Sequence, residues 1–169
     1  MTTQVLANVN PRYFLNQLAL EHAKDSMLLD PDHIIRQLLA QRPYAHLVEM
    51  FEDFCEAAVA PAYCWKQHPG KLKAFSEDLE KLIEACFLLR RNRKQNLPGQ
   101  PKALQHFFTT YSLPEWKKIL HEWTLAALSR NSIAEIGDPM DMIPFVKGME
   151  ALIKAMAGFA EQANPTPDH

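Results

Sequence analysis

The chain has 169 residues, 47% of them hydrophobic and 22% charged, with a formal net charge of -2. That size supports an ordinary hydrophobic core without disulfide or metal staples, and a pI near 6.4 excludes a chain-wide basic field, so nucleic acid could be held only by a local patch. Three cysteines, Cys55, Cys64 and Cys86, without a C-x-x-C pair argue against a disulfide framework and fit reduced, small core residues in a cytoplasmic protein.

Residues 1–10 have neither the basic start nor the apolar run of a secretory signal. The longest nearly uncharged apolar run, Ala57 to Trp65, is broken by Pro61 and is less than half of the roughly 20 residues a spanning helix needs. A cytoplasmic protein that does not cross a membrane is therefore expected. Glycine is scarce, and no segment sustains the period-two alternation of a half-buried strand, so strands are not expected. Prolines punctuate the chain instead. Asn10-Pro11, Asp30-Pro31 and Asp138-Pro139 place proline directly after a capping residue, and Ser112-Leu113-Pro114-Glu115 adds a capping box.

In chain order, these signals predict helices over 11–29, 31–41 and 43–60, then a linker over 61–70. A long helix follows over 71–95. It stops at Asn96-Leu97-Pro98-Gly99-Gln100-Pro101, a dense cluster of helix breakers. Further helices are predicted over 102–110, 114–129 and 139–163. The segment 164–169 contains two prolines and no apolar anchor, which reads as a disordered tail after a single all-α domain of residues 1–163.

Two stripes carry the architecture. Leu72, Phe75, Leu79, Leu82, Cys86 and Leu89 recur at steps of three and four, and so do Met142, Phe145, Val146, Met149, Leu152, Ile153, Met156 and Phe159. Such stripes face partner helices. The expected fold is a helical bundle with a four-helix-type core from helices 11–29, 43–60, 71–95 and 139–163, the remaining helices being accessory.

The chemistry-bearing candidates are few. Arg90, Arg91, Arg93 and Lys94 end the long helix, with Lys102 just past the loop and Lys117 and Lys118 on the following helix. Such a cluster suits an anionic partner, because guanidinium groups match phosphate oxygens and each neutralised phosphate releases counterions. The same residues also serve as a plain basic helix end that complements the dipole. On the 43–60 helix, His46, Glu49 and Glu52 offer metal-ligating types at helical spacing, although no glutamate in the chain is followed three residues later by histidine, as carboxylate-bridged di-metal bundles require. Phe107, Phe108, Tyr111, Trp116 and Trp123 supply either core or a stacking platform. His121-Glu122 begins like a zinc-protease motif, but Leu125 stands where the second histidine belongs.

No G-x-S-x-G elbow, phosphate-binding loop or dinucleotide turn is present. No cofactor is implied, and enzymatic activity is not favoured. The sequence points to a non-enzymatic interaction or scaffold module that binds a second copy of itself, as a homodimer, or another protein. A nucleic-acid-associated protein using Arg90 to Lys94 is the alternative, and a metal-dependent protein with ligands near His46 a second one.

Overall fold

The computed structural model describes residues 30–60, 69–92 and 102–162, with the side chains of 92, 102, 103 and 162 left aside. Among the described residues every regular element is α-helical, in the order α1 Pro31–Gln41, α2 Tyr44–Val59, α3 Pro69–Asn92, α4 Lys102–Thr110, α5 Leu113–Leu128, α6 Ile133–Ile136 and α7 Pro139–Gln162. The predicted helix over 11–29, the linker core at 61–68 and the tail lie outside the described residues. No described helix is long and apolar enough to cross a membrane.

Local chemistry fixes the helix starts. Asp30 caps α1 by accepting the Asp32 N–H at 3.0 Å, with Pro31 in the first turn, where a missing N–H leaves no bond unmade. At α5, the Ser112 backbone N–H and hydroxyl both donate to one oxygen of Glu115 at 2.7 Å. These bonds, backbone first, hold the Glu115 carboxyl below the usual carboxylate range. A single turn, α6, was not expected from the sequence. Ser132 accepts the Ala134 N–H at its start, and the Ser132 hydroxyl donates to the Val59 carbonyl at 2.9 Å, tying α6 to the end of α2.

Among the described residues, the packing gives α5 a place that the sequence did not predict. Helix α5, read from sequence as accessory, packs against both α2 and α3, while α1 lies on α3 and α7, and α4 on α7. The reason lies in its side chains. Trp116 and Trp123, seven residues apart on one face, are both buried, and Ala126 and Ala127 bring the C-terminal turn close to its neighbours. Trp116 stacks on Phe107 with centroids 4.3 Å apart and meets Tyr111 edge-on at 5.0 Å. Its indole N–H donates to the Phe107 carbonyl at 3.0 Å. Trp123 stacks on Phe145 of α7 at 4.6 Å. The aromatics of residues 107–123 are thus core, and Phe107, Trp116 and Trp123 offer no open stacking face.

All six stripe residues from Leu72 to Leu89 are buried, and α3 packs against α1 and α5. Leu82 is 1% exposed, so Leu82→Ala is expected to destabilise the fold by about 2–5 kcal/mol, the transfer loss plus a residual cavity. A shift of the urea midpoint within measurement error would place this stripe at the surface instead.

Polar groups tie α3 to its neighbours. Arg42, between α1 and α2, donates from Nε to Asp78 at 2.5 Å. Lys117 of α5 reaches Glu84 at 2.5 Å and Glu80 at 3.1 Å. Glu84 is fully buried, a position a carboxylate tolerates only beside a counter-charge or hydrogen-bond donors. Among the described residues no buried side-chain nitrogen or oxygen lacks a hydrogen-bond partner.

Candidate functional site

With the stripes of α2 and α7 turned inward, a groove opens along the outer seam between these two helices. Tyr44, Val48, Phe51 and Glu52 line one wall, and Lys147, Glu150, Ala151, Ile153 and Lys154 the other, around a volume of about 410 Å³. Helical spacing produces both walls: 44, 48, 51 and 52 share one face of α2, and 147, 150, 151 and 154 one face of α7. Phe51 and Ile153 are buried at its base, whereas Tyr44 is 43% exposed.

The apolar surface continues past the groove. Ile143 and Met140, one and two turns before Lys147 on the same face of α7, are 67% and 80% exposed. Large apolar side chains left in water on one continuous face mark an association surface more often than a scattered exposed residue does. Pro144 stands beside them inside α7. Having no N–H, it leaves the Met140 carbonyl without its usual helical donor.

Charges of both signs frame the groove. Cys55, facing the same seam, has its thiol pushed up to about 12, first by burial and then by Glu150 of α7 and Glu52 of α2. The two carboxylates therefore converge on this edge, and the thiol stays neutral and unreactive at physiological pH. Cys86 is fully buried, and its thiol is likewise held protonated, burial outweighing the opposing pull of Arg90.

The residues singled out by the sequence lie elsewhere or apart. Arg90 and Arg91 are exposed at the end of α3, where the Arg90 guanidinium sits 4.5 Å over the Phe108 ring. Arg93 and Lys94 lie outside the described residues, and Lys102 opens α4. Lys117, grouped with them in sequence, turns inward to Glu84 and Glu80, and Lys118 lies 3.7 Å from Glu122 of its own helix. His46 and Glu49 come no closer than 4.0 Å, and both are largely exposed. Among the described residues no group of three or more His, Cys, Asp or Glu side chains is placed to hold a metal ion. His46, Glu49 and Glu52 do not form such a group, and Glu52 lines the groove toward α7.

Sequence reasoning passed over the groove, although a signal was present. Met140 and Ile143 are large apolar residues that fall off the inward stripe of their own helix. Such residues become meaningful only once the buried face is known. No family model, curated protein or solved structure matches this chain.

Proposed function

We propose that this protein is a non-enzymatic helical interaction module that docks a partner protein along the α2–α7 face. The observation that carries this reading is the continuity of the groove with Ile143 and Met140, which leaves large apolar side chains in water on one side of α7. Fully burying an aliphatic side chain of that size is worth about 1.5–3 kcal/mol, so a covering partner recovers appreciable free energy from two such residues and the groove. The flanking Glu52, Lys147, Glu150 and Lys154 supply the polar rim that surrounds an apolar interface centre. No nucleophile paired with a base lines the groove, which suits binding rather than turnover. An anionic partner at the basic helix end gains less support, since Lys117 and the aromatics that would stack bases are committed to the interior.

Site-specific photocrosslinking tests the reading. A benzophenone amino acid replacing Ile143 is expected to give a discrete protein adduct in living cells. The same group replacing Leu125, which is 46% exposed on α5, is expected to give none. Equal labelling from both positions, or none from 143, would contradict the assignment of this face.

A further inference from the structure

We infer that the occupant of the α2–α7 face is a second copy of this chain, packed about a two-fold axis that crosses α7 at the level of Gly148 and Met149. This rests on the docking-surface reading and names its partner. The exposed face of α7 reads Met140, Ile143, Lys147, Glu150, Ala151, Lys154: apolar residues, then a cation, an anion, a small residue and a cation. Among the described residues no ion pair engages Lys147, Glu150 or Lys154, and all three are exposed, so a docking partner meets these charges directly.

The order of these charges is self-complementary. In a two-fold contact, if residue i of one copy opposes residue j of the other, then j also opposes i. Antiparallel pairing of α7 with its copy in this register sets Lys147 against Glu150 and Glu150 against Lys147, so a single contact makes two ion pairs. The same register lays Ile143 of each copy along the methylene stem of Lys154 of the other, at the mouth of the groove. Ala151 keeps the centre narrow enough for the helices to approach. The four rim charges, Glu52, Lys147, Glu150 and Lys154, sum to zero, so the face has no net attraction for an acidic or a basic partner. What it offers is a pattern, and a pattern of alternating signs selects a partner by register.

Charge reversal with rescue tests the proposal on the full chain. Sedimentation equilibrium at micromolar concentration is expected to give twice the 19.4 kDa chain mass. Lys147→Glu and Glu150→Lys each place like charges together twice, and each should raise the dimer dissociation constant by about tenfold or more. The double variant Lys147→Glu, Glu150→Lys restores both pairs with signs exchanged and should return the constant to near the wild-type value. Unchanged far-ultraviolet circular dichroism spectra of the single variants would show that the fold is intact, as exposed positions allow, whereas their melting temperatures fall with the weakened dimer. A dimer indifferent to both single reversals overturns the placement on this face, and failure of the double variant to recover overturns the Lys147–Glu150 register. A monomer at every concentration overturns the second copy. In that event, a position-143 crosslink to a different protein leaves the docking surface standing, a crosslink within the chain to residues before Asp30 assigns the face to the chain's own N-terminal segment, and no crosslink removes the docking surface as well.

Discussion

Trp116→Ala is expected to lower the stability of the fold by about 3–5 kcal/mol, the range for truncating a fully buried aromatic. That is a large share of the roughly 5–15 kcal/mol that holds an ordinary domain together. Three losses combine at this site: the stack on Phe107, the edge contact with Tyr111, and the indole N–H bond to the Phe107 carbonyl, which would leave that carbonyl without this donor. Gly148 explains why the ring sits so deep. A Cβ at Gly148 would stand 2.3 Å from Cη2 of Trp116 and 3.0 Å from Cζ2, so α7 accepts the indole only where it carries no side chain. Gly148→Ala should therefore destabilise, although glycine to alanine inside a helix ordinarily gains about 1 kcal/mol. Combining Gly148→Ala with Trp116→Phe should return part of the loss, because the smaller ring vacates the clash. Chemical denaturation of the three variants checks this, and a neutral or stabilising Gly148→Ala would show that Trp116 does not press on α7.

Lys117→Met carries the second large effect. The change removes the cation 2.5 Å from Glu84, a carboxylate with no exposed surface, and 3.1 Å from Glu80. Stripping one partner from a buried pair typically costs about 3–5 kcal/mol, because the carboxylate stays out of water after losing its contact with the Lys117 ammonium. The surface pair Lys118–Glu122, only 3.7 Å apart with Lys118 largely exposed, should matter by about 1 kcal/mol or less when Lys118 is replaced. Replacing both members at once, Glu84→Leu with Lys117→Met, should recover part of the loss, since paired charges exchanged for apolar residues of similar volume are often neutral, while Glu80 still loses its contact with Lys117. If Lys117→Met and Lys118→Met cost the same in a urea titration, the buried ion pair does not join α3 to α5.

The helical class, the ends of α1 and α4 and both inward stripes were legible because they rest on local rules. Asp30-Pro31 and Ser112-Leu113-Pro114-Glu115 announce helix starts by capping chemistry, and the spacing of Leu72 to Leu89 announces a buried face. The central place of α5 was not legible. Its length matches that of α2, and the fit of Trp116 against Phe107 of the preceding helix and against Gly148, distant in the chain, makes it a core element. Lys117 misled for a related reason. Beside Lys118 it looks like half of a basic patch, yet α5 turns one lysine toward α3 and the other to solvent. The groove needed both helices in place, since neither Tyr44 and Val48 nor Lys147 and Glu150 forms a concave surface alone.

Amide hydrogen exchange of the full chain at low and high protein concentration tests most directly whether the α2–α7 face is where this protein associates. Exchange slowed at high concentration over 44–52 and 140–154, with the exposed side of α5 around His121 and Leu125 unchanged, is the expected result. Concentration-independent exchange over 44–52 and 140–154, or protection that appears on α5 instead, would contradict it.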